Sequence, residues 1–114
     1  MKEINIKFID ASKQRYDTLG DYVLKDDILT ITVSKTKNER FDHLVALHEH
    51  VEALLSYYGE VSFKDIDTHD INFESKGGIG EPGDDRLAPY FHEHHIADVV
   101  ERLVGTQIGY YYRT

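Results

Sequence analysis

The chain has 114 residues, enough for one hydrophobic core and too few for two. Apolar residues make up 40% and charged residues 30%, a globular balance, and the lack of cysteine excludes disulfides, thiolate zinc sites and thiol nucleophiles. A formal net charge of −8 repels phosphate backbones and disfavours nucleic acid as a partner; Lys35, Lys37 and Arg40 cluster, but three charges are a weak patch.

Residues 4–9, INIKFI, alternate apolar and polar, which predicts a strand with one buried face. DYVLKDDILTITVS (21–34) predicts two strands around a turn at Lys25, Asp26 and Asp27, the second rich in β-branched residues. From about Asn38 to Tyr58 the period changes. Leu44, Leu47, Val51, Leu54, Leu55 and Tyr58 recur at three and four, predicting a helix with one core-facing stripe that Gly59 stops. Ser62 followed by Asp65 resembles a capping box with Asp in place of Glu, opening a helix with Phe63, Ile66 and Phe73 on one face that runs to about Ser75.

KGGIGEPGDD (76–85) reads as a loop, and Pro89 suits the first turn of a last helix from about Ala88 to Val104 or Ile108. The aromatic tail GYYYRT (109–114) reads as a short strand or an interface patch. The expectation is a single α+β domain over 1–114, a small antiparallel sheet of about three strands followed by three helices. No stretch reads as a signal peptide and no apolar run approaches the roughly 20 residues of a membrane span, so a cytoplasmic setting away from membranes is expected.

The helix around LVALHEHVEALL (44–55) carries the chemistry. With Leu44 at zero and 100° per residue, the apolar stripe centres near roughly 330°, while His48 falls at about 40° and Glu52 at about 80°. The two stand one above the other, i and i+4, wedged between core residues and Val45. A histidine and a carboxylate so placed can reach one divalent cation, and both are ordinary zinc ligands. In the HExxH arrangement the glutamate after the first histidine polarises the water on the metal. Here the pattern is HExxE: Glu49 keeps the place of a general base, and Glu52 becomes the second ligand. A carboxylate ligand lowers the effective charge of the ion and makes its water less acidic. A bland alternative uses the same residues, a His–Glu pair hydrogen-bonded along a core helix.

YFHEHHIADVVERLV (90–104) offers a third ligand. His94 and Glu101 lie at one edge of its apolar face, at about 300° and 280° with Phe91 at zero, yet two turns or roughly 10 Å apart along the axis. Either one can complete a site begun by His48 and Glu52, but not both. His92, His95 and Asp98 are expected to project elsewhere or toward solvent.

These segments resemble a family of small uncharacterised phage and prophage proteins of similar length. The likeness runs through QRYDTLGDY (14–22), HEHVEALL (48–55), EPGDD (81–85) and APYFHEHHIADVVERL (88–103). The family's helix reads close to HELVEA, on which His48, Glu49 and Glu52 fall. Its last segment reads APY, two variable residues, EH, and later the triplet that Val100, Glu101 and Arg102 supply. His50 stands where the family usually has leucine. The resemblance implies a phage or prophage gene expressed in a bacterial cytoplasm, and a likeness to minimal zincin-like metal-dependent hydrolases. Under that reading zinc or another divalent ion is held by His48, Glu52 and either His94 or Glu101, with Glu49 as general base.

Other readings compete. Glu49 and Glu52 form an ExxE like that of magnesium-dependent nucleotide pyrophosphohydrolases, but only Asp98 and Glu101, in reversed order, approach the second acidic pair, and the strands go unexplained. His69-Asp70 matches the dipeptide of HD phosphohydrolases without their further ligands, and reads as a surface pair. The glycine-rich loop lacks the Gly-Lys-Ser/Thr of a P-loop. From another class comes a non-catalytic phage accessory protein binding a protein partner, with the His/Glu cluster structural and Tyr110, Tyr111 and Tyr112 at the interface.

Overall fold

The computed structural model describes residues 1–110. Three strands, β1 (Glu3–Ile9), β2 (Gly20–Lys25) and β3 (Ile28–Ser34), precede three helices, α1 (Glu39–Tyr58), α2 (Phe63–Ser75) and α3 (Phe91–Gln107). The architecture is α+β, as the periodicities predict. No helix is long and apolar enough to cross a membrane.

The sheet is mixed rather than antiparallel. Its order is β1-β3-β2, with β2 antiparallel to β3 and β1 parallel to it. The cause lies in residues 10–19, which carry the chain across the polar face of the sheet to its far edge. Gln14 ties this crossing down by hydrogen bonds to the Thr32 carbonyl, the Thr32 hydroxyl and Ser34. A hairpin then returns β3 into the middle, alongside β1 and in the same direction. Asp26 and Asp27 make its two-residue turn with φ of 54° and 64°, the left-handed pair that matches strand twist. Leu29, Ile31 and Val33 are fully buried on the inner face and form the core with Tyr22, Val45, Ala53 and Ile66.

The helix starts follow their caps. The Asn38 side chain accepts from the Phe41 N–H, and Ser62 accepts from the Asp65 N–H, as the capping pattern requires. The last helix begins later than the sequence suggests. Ala88 and Pro89 lie in the preceding turn, and Tyr90 is the N-cap, because the Tyr90 ring is drawn inward and its hydroxyl donates to Asp70 at 2.7 Å. The 76–85 loop contains one 3-10 turn, Pro82–Asp84. Tyr110 stacks on Phe41 at 5.6 Å; the rest of the aromatic tail lies outside the described residues.

The face that α1 turns inward also departs from expectation. Of the predicted stripe Leu44 is fully buried, but Leu47, Val51, Leu54 and Leu55 are half-buried and Tyr58 is exposed, while Val45, His48, Glu49, Glu52, Ala53 and Ser56 are buried. The helix is rotated so that its polar seam, not the centre of its apolar stripe, meets α3 and the sheet. Burying such groups is costly unless they satisfy one another.

Candidate metal centre

His48 and Glu52 stand one turn apart on α1, and α3 crosses beside them to bring in His94. The three side chains are only 3–5% exposed. His48 Nε2 lies 3.1 Å from Glu52 Oε2 and 3.2 Å from His94 Nδ1, and His94 Nδ1 lies 2.9 Å from the same Glu52 oxygen. Three ligand-type atoms thus form a closed triangle. Zinc bonds of about 2.0–2.1 Å set tetrahedral ligand atoms roughly 3.3 Å apart, so these edges match one face of such a site, slightly contracted.

Each ring nitrogen facing away from the triangle meets carboxylates. His48 Nδ1 is 3.0 Å from Glu101 Oε1 and 3.2 Å from Asp98 Oδ1. His94 Nε2 is 3.2 Å from Asp84, 3.3 Å from Glu81 and 3.7 Å from Asp98. These are ion-pair distances without hydrogen-bond geometry. The Tyr22 hydroxyl donates to the second Glu52 oxygen at 2.9 Å. Imidazoles backed by carboxylates and a ligand carboxylate fixed by a hydroxyl are the usual outer supports of a metal site.

Glu49 is buried beside this triangle, its carboxylate within 4.8 Å of the ligand atoms of His48 and Glu52. It makes no hydrogen bond among the described residues and lines a cleft of about 590 Å³ together with His48, Glu52 and His94. Backbone without side chains makes the room. A Cβ on Gly20 would come 2.6 Å from Glu49 Cγ, and one on Gly83 would come 2.4 Å from the His94 ring.

The charges set the protonation. Burial pushes the Glu49 carboxyl well above its ordinary value, and the neighbouring Glu52 adds to the rise. Burial likewise disfavours the ionised Glu52, but the two imidazoles outweigh it and hold its pKa low. For the histidines burial lowers the pKa, yet the carboxylates prevail: Asp98, Glu101 and Glu52 hold His48 high, and Glu52 and Glu81 raise His94 to about 10.

The residues singled out in the sequence therefore separate. His48, Glu52 and His94 converge on one point with Glu49 beside it. Glu101 reaches the opposite nitrogen of His48, on the far side of the ring from that point. Asp98, expected to project away, contacts both histidines. The signal for it was present, since Asp98 stands four residues after His94, the same spacing that flags His48 and Glu52. Tyr22, Gly20 and Gly83 carry no such mark. His69-Asp70 is no free surface pair: Asp70 is buried and accepts from Tyr16 and Tyr90, while His69 bridges Asp70 and Asp85 at 3.2 and 2.9 Å. The stretches 14–22, 48–55, 81–85 and 88–103 all supply lining residues to this cleft.

Comparison with known proteins gives no match to a family model, a curated protein or a solved structure.

Proposed function

We propose that the protein is a zincin-like, divalent-metal-dependent hydrolase in which His48, Glu52 and His94 hold one ion and Glu49 is the general base. The observation that carries this reading is the triangle of His48 Nε2, Glu52 Oε2 and His94 Nδ1, with edges of 2.9–3.2 Å. Two histidines and one carboxylate leave a fourth position for water or substrate, the coordination of a catalytic rather than a closed structural site. A bound divalent ion would supply Lewis acidity and make a water molecule acidic enough to attack near neutral pH. Glu49 borders the same cleft, and positive charge in the triangle favours its ionised form, ready to take a proton from the attacking water.

The remaining residues orient the ligands. Glu101 and Asp98 hold His48 from its outer nitrogen, Glu81 and Asp84 hold His94, and Tyr22 fixes Glu52. The cleft wall bears many carboxylates and one arginine, Arg102, so a neutral or cationic carbonyl substrate suits it better than a phosphate ester. With the resemblance noted above, the setting of this proposal is the cytoplasm of a bacterial host.

Elemental analysis of untagged protein, purified without chelator, tests the assignment. About one equivalent of zinc is expected, lost in His48→Ala and in His94→Ala. Glu101→Gln keeps the ion with affinity weakened roughly 10- to 100-fold, as for an outer-sphere partner. No metal in the wild type after zinc is offered would refute the site. Loss of the ion in Glu101→Gln with retention in His94→Ala would exchange the third ligand.

A further inference from the structure

We propose that the free edge of β1 is a homodimer interface, at which two copies pair their first strands antiparallel about Asn5 and join two three-stranded sheets into one of six. β1 is an edge strand bonded to β3 alone in the sheet order. Its Ile4, Ile6 and Phe8 are in register with Leu29, Ile31 and Val33 and so point to the same inner face. The β3 residues are fully buried, whereas Ile4, Ile6 and Phe8 are 39, 45 and 36% exposed, because α1 packs chiefly across β2 and β3 and covers β1 little, its His43 ring lying 4.9 Å from that of Phe8. A seven-residue edge with neither proline nor bulge and with three large apolar side chains is a template for further strand pairing.

The order of side chains along β1 selects a second copy of this chain as the occupant. With Asn5 on a two-fold axis, Glu3 of each copy falls opposite Lys7 of the other, Ile4 opposite Ile6, and Asn5 opposite itself. The charge pairs then share the polar face and the isoleucine pairs the apolar face, each kind stabilising an antiparallel ladder. Such self-complementarity is what a two-fold interface demands of a single surface. Among the described residues Lys7 makes no ion pair, and Glu3 is met only by the Asn5 amide at 2.7 Å. No residue of β1 lines the cleft, so the pairing stands or falls independently of the proposed chemistry.

The test is sedimentation equilibrium of the purified chain across about 10 to 200 µM, a range suited to an interface of one strand per copy. The wild type is expected to dimerise within it. Glu3→Lys sets like charges opposite each other, as does Lys7→Glu, and each alone should raise the dissociation constant roughly tenfold. Mixing the two variants should restore the dimer, since every cross-strand pair is again of opposite sign, and the double variant should dimerise as the wild type does. Ile6→Lys, on a side chain already exposed in one copy, should be monomeric with unchanged circular dichroism. A wild type that is monomeric throughout the range overturns the proposal. So does a dimer unaffected by either charge reversal, or one weakened by both and not recovered on mixing.

Discussion

His48 Nε2 and His94 Nδ1 face each other at 3.2 Å, buried, with one Glu52 oxygen closing the triangle. If both nitrogens carry protons, two N–H groups point at one another. If both lack them, two lone pairs do. If one carries a proton, it donates to the other or to Glu52; under the proposed function a divalent ion would take the place of these protons, and the predictions follow from that proposal.

Proton release should accompany zinc binding. The surrounding carboxylates raise the His94 pKa to about 10 and hold His48 high against the opposing effect of burial, so at pH 7 both rings are charged before the ion arrives. Binding should then expel roughly two protons, and affinity should climb with pH toward about 10. The sign is opposite for the metal-free fold. A histidine raised above its unfolded value near 6.5 adds stability fully present below that pH and lost as pH rises through the folded value. Calorimetric titration in buffers of different ionisation enthalpy counts the protons, and zinc uptake that releases none would contradict ligation by these rings.

Tyr22→Phe should weaken zinc binding about tenfold or more while leaving the overall fold intact. It removes the hydroxyl that fixes Glu52, an oxygen contact of 2.9 Å in a buried setting. The metal-free protein should lose about 1.5–3 kcal/mol, the scale of a hydrogen bond to a charged acceptor. Competition against a chromophoric chelator reads the first effect and chemical denaturation the second.

Glu49→Gln should keep zinc and lose hydrolysis. Its thermodynamic signature is separate. Burial raises the Glu49 pKa above its ordinary 4.5, so the wild-type fold loses stability as pH rises past that value, and the amide does not. The metal-free variant should therefore melt above the wild type at pH 8 and level with it at pH 4. An equal melting temperature at both would place Glu49 in a wetter environment than the cleft shows.

Gly83→Ala should damage the site through its backbone. The added Cβ would lie 2.4 Å from the His94 ring, and shifting an aromatic ring in a packed site costs about 1–3 kcal/mol. Gly77→Ala is the control. Gly77 has φ of +70° with open space around it, so its substitution costs about 1 kcal/mol of backbone strain and leaves zinc affinity unchanged. Equal zinc affinity in the two variants would argue against His94 as a ligand.

What the sequence made legible was local. Alternation in ILTITVS, the Asp26-Asp27 turn and the caps at Asn38 and Ser62 act over a few residues, and each element appears close to its expected bounds. The pair His48 and Glu52 was legible for the same reason, being set by helix spacing alone. Strand order was not, since nothing within β1 says that residues 10–19 will cross the sheet and make β1 parallel to β3. Nor was the rotation of α1. Its apolar stripe gave the wrong inward face because the buried His48 and Glu52 are compensated by Tyr22, His94, Asp98 and Glu101, all distant in sequence. That His94 and Glu101 meet opposite nitrogens of His48 was equally hidden, being a fact of packing between two helices.

The attachment of α2 has a consequence for the mouth of the cleft. Apart from Ile66 and Phe63 at its start, this helix is fastened by polar clasps: Arg15 forks onto Asp21 and Asp67, Tyr16 and Tyr90 grip Asp70, and His69 reaches Asp85. Arg15 and Asp67 are partly open to solvent, where ions within a Debye length of about 8 Å at physiological strength weaken such links. Apolar packing under the sheet feels no such screening. One wall of the entrance is therefore riveted in part by links that salt loosens, while the floor beneath it is held by packing that salt leaves alone.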